Sequence, residues 1–233
     1  MTETTTVVFD LDDTLYLECD YVRSGFRAVA DEIGLTLPAL RETAFEMLYT
    51  DFLDGNRGHN FERLVAALPA MGTAVSVTRM IEIYRGHTPD IQPMPGAEQL
   101  LGELSARRIA CGLITDGWQH QQIAKLDALR LRPFFNRIIA NETTDRFKPD
   151  SRSFLQMQHD LGADGRRCWY VADNPSKDFI APRQLGWKSI RLKRPGQLWA
   201  HLDAGEAADF TVSGLDAVLQ FVATPADKKL ACP

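Results

Sequence analysis

Val7, Val8 and Phe9 form a short apolar run that opens directly into Asp10, Asp12 and Asp13, the pattern of a buried parallel strand ending in a polar loop. Comparable runs recur at 109–114, 137–140, 168–172, 188–192 and 210–212, each separated from the next by helix-like stretches. This alternation predicts an α/β fold built on a doubly wound, Rossmann-like parallel sheet. Between the first and second strands lie roughly ninety residues without a convincing strand, more than one crossover helix requires. Within them Val22, Phe26, Val29 and Ile33 recur at helical spacing, as do Phe45, Leu48 and Phe52, then Phe61, Leu64, Val65 and Leu68, then Val77, Met80, Ile81 and Tyr84. Four amphipathic helices therefore form an inserted helical domain. The stretch from Thr88 to Gly96, with Pro89, Pro93 and Pro95, marks the return to the sheet. The predicted division is a core of 1–16 and 89–233 with a helical insertion at 17–88. The charged end from Pro225 to Pro233 reads as a frayed tail.

Composition narrows the function classes. With 233 residues and 45% hydrophobic content, the chain can bury a core of one large or two modest domains. A net charge of -5 provides no general attraction for nucleic acid or anionic membrane, so a bound anion needs a few placed groups. Cys19, Cys111, Cys168 and Cys232 are scattered without paired spacing, which fits reduced thiols in a cytoplasmic protein. The polar start MTETTT and the lack of any long apolar run argue against a signal peptide or a membrane span.

The polar residues of interest cluster where predicted strands end, the edge at which open α/β sheets bind ligands. Asp10 and Asp12 follow the first strand, and two carboxylates so close become tolerable if a divalent cation neutralises one or if one keeps a proton. Alone, such a pair equally suits an acidic turn. Thr115, Asp116 and Gly117 end the second strand, offering a hydroxyl and turn amides to an anion, or simply a helix cap. Lys148 follows the third and is a candidate counter-charge, although a solvated lysine fits as well. Asp173, Asn174 and Asp178 follow the fourth, where a capped Pro-Ser turn is the simpler alternative. It is their joint occurrence, one set per strand end, that points to phosphoryl chemistry.

In order and spacing, VVFDLDDTLY, GLITDG, RFKPD and YVADNPSKD resemble the four motifs of the haloacid dehalogenase-like hydrolase superfamily. The resemblance spans essentially the whole chain, because the inserted helices sit where one branch of that family carries a helical cap. Ala172 stands where many members have glycine, a substitution small enough to keep the backbone close to the site. The resemblance implies that Asp10 is the nucleophile, forming an aspartyl-phosphate. It further implies that Mg²⁺ is held by the Asp10 carboxylate, the Asp12 backbone carbonyl and Asp173. Asp12 would act as general acid and then base. Thr115, the amides around Asp116 and Gly117, and Lys148 would hold the phosphoryl oxygens, with Asp178 orienting Lys148 or a bound water and Asn174 supporting from behind.

The implied activity is Mg²⁺-dependent hydrolysis of a small phosphorylated metabolite such as a sugar phosphate or nucleotide. The dehalogenase branch lacks an acid at the position of Asp12, which argues against dehalogenation. Phosphonate-cleaving relatives use a cap lysine, whereas no lysine occurs from Met1 through Gly117. A phosphomutase shares the core motifs and stays open as an alternative, as does a phospho-accepting signalling domain. Cap residues Tyr21, Arg23, Arg57, His59 and Asn60 are the specificity candidates, with Arg57 and His59 foremost because they flank Gly58 in a glycine-bearing loop. The sequence sets neither the substrate nor the oligomeric state.

Overall fold

The computed structural model describes residues 5–68, 74–202 and 208–222. The tail from Pro225 to Pro233, with Cys232, lies outside them. The described elements fall into two compact units, one of residues 1–18 with 92–233 and one of residues 19–91.

The first unit is a six-stranded, wholly parallel sheet in the order β3-β2-β1-β4-β5-β6. Its strands are β1 (Thr6–Phe9), β2 (Ala110–Asp116), β3 (Arg137–Asn141), β4 (Cys168–Ala172), β5 (Lys188–Leu192) and β6 (Phe210–Val212). Every residue of β1 and β4 is buried, as expected of central strands covered on both faces. Val8, Ile114, Phe154, Tyr170, Phe179 and Trp187 belong to one buried cluster on the sheet. Each such fully buried large side chain contributes about 1.5–3 kcal/mol. In β1, Thr6 pairs with Ala110 on one side and with Cys168 on the other, so β2 and β4 flank it in register. The chain runs outward from β1 in both directions, and the crevice beyond the ends of β1 and β4 is the topological switch point.

β2 runs two residues past the apolar stretch that predicts it. Thr115 and Asp116 pair with Ala140 and Asn141, extending the ladder into the polar loop. Periodicity misses this because the continuing residues are polar at a buried end.

The second unit holds the helices α1 (Glu18–Thr36, whose first residue belongs to the sheet unit), α2 (Arg41–Leu53), α3 (Asn60–Ala67) and α4 (Val77–Gly86). Val22, Phe26, Val29 and Ile33 are all buried, so the helical spacing identifies the inner stripe of α1. Phe26 lies at its centre, with ring centroids 6.4 Å from Phe52, 6.0 Å from Phe61 and 5.5 Å from Tyr84. Gly25 lets Tyr84 approach, since a Cβ there would stand 2.5 Å from its ring. Ser76 caps α4 by accepting a hydrogen bond from Arg79 N at 3.2 Å. No helix among the described residues is long and apolar enough to cross a membrane.

Candidate active site

Asp10 is the first residue past β1, tied to its neighbour strand by Asp10 N donating to Val171 O at 2.9 Å. Asp173 is the first past β4, so the pairing of β1 with β4 brings two carboxylates to the switch point from sequence positions far apart. Asp10, Asp173 and Asp178, all buried, place ligand atoms within 4.8 Å of one another. Lys148 enters this cluster from the segment after β3. Its Nζ stands 2.7 Å from Asp10 Oδ1 and 2.9 Å from Asp178 Oδ1, with its side chain only 1% exposed. Lys148 Nζ also donates to Tyr170 Oη at 3.1 Å.

Asp10, Asp173 and Asp178 have one ammonium, Lys148, in direct contact with the cluster and a second, Lys177, acting on Asp10 from farther away, so negative charge stays in excess and the acids respond. Burial raises the Asp10 carboxyl to about 7 against the pull of Lys148, with Asp178 adding to the rise. Burial, followed by repulsion from Asp178, Asp10 and Asp13, raises Asp173 to about 9. Burial works to neutralise Lys148, but Asp10 and Asp178 overcome it and hold the ammonium charged well above the ordinary lysine range. Asp173 Oδ2 is buried and accepts no hydrogen bond among the described residues. A buried, underused carboxylate oxygen in a cluster short of positive charge is what a hard divalent cation fits. The buried hydroxyl of Thr115 likewise has no partner among the described residues, leaving a donor for a ligand.

The supporting contacts are dense. Arg191 Nε donates to Asp173 O at 3.2 Å, and its Nη2 donates to Leu202 O at 2.7 Å, fixing the backbone beyond β4. Asp178 Oδ2 accepts from Asn174 N at 3.0 Å, and Asn174 Oδ1 accepts from Ser176 N at 3.0 Å. Asn174 thus closes the turn that aims Asp178. Asp13 adopts a left-handed φ of 55° and accepts from Glu18 N at 2.8 Å and Leu198 N at 2.6 Å, which anchors the loop after Asp12.

The turn after β2 corrects one expectation. The Gly117 amide donates to Asn141 O at 2.7 Å, so it is committed to the sheet edge and not offered to an anion. Asp116 is a brace. It accepts from Asn141 Nδ2 at 3.0 Å, from Lys148 N at 3.1 Å and from Lys177 Nζ at 2.7 Å. Burial works to raise its carboxyl, but the lysines and these hydrogen bonds hold it below the usual range. Gly117 is required for its backbone, since its φ is 130° and a Cβ would stand 2.5 Å from Gln122 Nε2.

Several contributors escape sequence reasoning. Tyr170 reads as an ordinary strand residue, yet its hydroxyl meets Lys148. Lys177 precedes Asp178 and pairs with Asp116. On helix α6 (Gln119–Ala128; α5 is Ala97–Ala106), Gln122 Nε2 donates to Asp116 O at 3.0 Å, and Lys125 Nζ donates to Asp12 Oδ1 at 2.6 Å. Tyr16 also donates its hydroxyl to Asp12 Oδ1. Nothing in a helical glutamine and lysine signals such contacts.

Among the helical candidates, the Arg57 guanidinium lies 3.9 Å from the Phe52 ring centroid, and exposed His59 has Nδ1 3.5 Å from Glu62. Arg23 pairs with Asp20 at 3.2 Å, Asn60 donates to Asp51 Oδ2 at 2.8 Å, and Tyr21 packs edge-on against Tyr84.

The family model described as haloacid dehalogenase-like hydrolase matches residues 7–192. A glyceraldehyde 3-phosphate phosphatase of Methanocaldococcus jannaschii is 30% identical over 220 residues, covering 93% of this chain and 96% of its own. A phosphoglycolate phosphatase of Caulobacter vibrioides is 27% identical over 183 residues, covering 78% of this chain and 76% of its own. The crystal structure of a phosphatase from Thermococcus onnurineus superposes with a TM-score of 0.63 at 19% identity, covering 93% of this chain and 96% of that one.

Proposed function

The chain belongs to the haloacid dehalogenase-like hydrolase family and is a phosphoric monoester hydrolase, and on that premise we propose that it cleaves a small organic phosphate with Mg²⁺ through an aspartyl-phosphate on Asp10. The observation that carries this reading is the sealed contact of Asp10 with Lys148 beside the underused carboxylate of Asp173. A merely structural cluster would have no reason to gather three buried acids around one lysine, since burying uncompensated charge is costly.

An oxygen of Asp10 attacks phosphorus while Asp12 protonates the departing ester oxygen. Asp12 then takes a proton from the water that releases inorganic phosphate and restores Asp10. Lys148, held by Asp178 and Tyr170, keeps positive charge at the attacking carboxylate and the transferred group, and the Thr115 hydroxyl donates to a phosphoryl oxygen. When bound, Mg²⁺ would be held by Asp10, Asp173 and the Asp12 backbone carbonyl and would supply further charge to the phosphoryl oxygens.

The relatives' names favour a substrate of two or three carbons bearing one phosphate, and specificity is assigned to the inserted helices, with Arg57 and His59 as candidates. The free thiols of Cys111 and Cys168 accord with the reducing, cytoplasmic setting proposed here. The test is phosphate release from a panel of phosphorylated metabolites with and without Mg²⁺, no sugar bisphosphate being added. Release from short-chain phosphates only with Mg²⁺ is expected. A requirement for sugar bisphosphate would replace hydrolysis with a mutase reaction.

A further inference from the structure

Lys125 and Asp12 are 113 positions apart, yet Lys125 Nζ lies 2.6 Å from Asp12 Oδ1. The lysine side chain is 7% exposed and the aspartate side chain 22%. Tyr16, fully buried, directs its hydroxyl to the same oxygen. An ammonium held so far from water is tolerated only when paired, and the pairing here is with Asp12, one of the three acids that follow β1. The helix that carries it is itself tied to the site. Gln122, one turn earlier on α6, donates to Asp116 O, so residues at i and i+3 fasten the end of β2 and the loop after β1.

We propose that Lys125, assisted by Tyr16, is a positioning residue that fastens Asp12 Oδ1 and thereby presents Oδ2 as the oxygen that passes the proton. The inference rests on the acid–base role proposed for Asp12. In the first half-reaction the bond from an Asp10 oxygen to phosphorus forms, the ester bond from phosphorus breaks, and the proton on Asp12 Oδ2 moves to the leaving oxygen. In the second, the water oxygen bonds to phosphorus, its proton returns to Oδ2, and the bond from phosphorus to Asp10 breaks. With Oδ1 anchored from two directions, the carboxyl cannot swing about its Cβ–Cγ bond, and the same oxygen serves both transfers. Lys125 acts through Asp12, so its effect must vanish when Asp12 no longer moves protons.

A double-mutant cycle tests this, with steady-state hydrolysis of p-nitrophenyl phosphate in Mg²⁺ measured for wild type, Lys125→Met, Asp12→Asn and the double variant. Lys125→Met should lower kcat about ten- to a hundred-fold with KM little changed, as expected when a catalytic group is misplaced. In the Asp12→Asn background the same change should cost less than about two-fold. Lys125→Arg should recover part of kcat, because it restores a donor to Oδ1. Tyr16→Phe keeps the ring volume, and it carries the cycle if Lys125→Met fails to fold. A large Asp12→Asn loss combined with equal Lys125→Met losses in both backgrounds would overturn the inference alone, as would unchanged kcat in Lys125→Met. Wild-type turnover in Asp12→Asn would overturn the acid–base role of Asp12 and this inference with it.

Discussion

Lys148 Nζ and Asp10 Oδ1 meet at 2.7 Å, with side chains 1% and 7% exposed, at the end of the first strand of the sheet. This contact makes Lys148 the counter-charge of the buried acids and, in the proposed mechanism, sets its ammonium against the carboxylate that attacks phosphorus. Lys148→Met should lower kcat by two or more orders of magnitude, since it removes charge aimed at the transferred group. It should also destabilise the metal-free protein by about 3–5 kcal/mol, the cost of leaving buried charge without its partner. Steady-state kinetics and chemical denaturation in EDTA read the two effects separately, and near-normal turnover would return Lys148 to a structural role.

Metal removal is the second test. EDTA should abolish phosphate release and added Mg²⁺ should restore it. Ca²⁺ should not, because its longer bonds and looser coordination do not hold the in-line geometry. Turnover that persists in chelator would reject the metal-assisted mechanism.

Asp10 and Asp12 should fail differently. Asp10→Asn should leave no phosphoenzyme and no measurable turnover. Asp12→Asn keeps the nucleophile, so an aryl phosphate with a good leaving group should still phosphorylate Asp10 while water attack is slowed by about 10²–10⁴-fold. Rapid quench with labelled substrate and peptide mapping distinguishes the cases. Label on serine, threonine or histidine would reassign the nucleophile.

Gly117→Ala should be disruptive although it adds one methyl group. The backbone holds φ at 130°, and the new carbon would press on Gln122 Nε2 at 2.5 Å. A loss of about 1–3 kcal/mol in denaturant unfolding is expected from the strained conformation. A stability equal to wild type would show that the turn can relax.

The buried thiols provide a pH-dependent check. Burial raises Cys111 to about 12, and burial followed by the nearby Asp164 raises Cys168 to about 12. Folded pKa values above the unfolded value of 9.0 keep both thiols protonated through pH 9, with their contribution to stability falling as pH climbs from there toward 12. Iodoacetamide at pH 8 should therefore leave both unmodified and activity intact, and mass spectrometry should find them labelled only after denaturation. Rapid labelling of either in the native protein would contradict this burial.

Much of this protein is determined by local order along the chain. Apolar runs of strand length set β1 and β4, because central strands covered on both faces are built mainly of apolar residues until they end, and those endings are where Asp10 and Asp173 appear. Helical spacing likewise identifies the inner stripe of α1, since Val22, Phe26, Val29 and Ile33 must share one face. What a linear pattern does not carry is which distant groups converge. Lys125 reads as a surface lysine in sequence and Lys148 as a candidate counter-charge, and only the sheet order and the docking of α6 bring their ammonium groups to Asp12 and Asp10. The same limit explains Gly117, whose amide is free in a one-dimensional reading but bonded to Asn141 once β3 pairs with β2. Spacing determines secondary structure because its forces act between near neighbours. Charge pairing in the site is decided by tertiary structure, because an electrostatic contact depends on distance through space and on burial, and both exist only after the strands have paired.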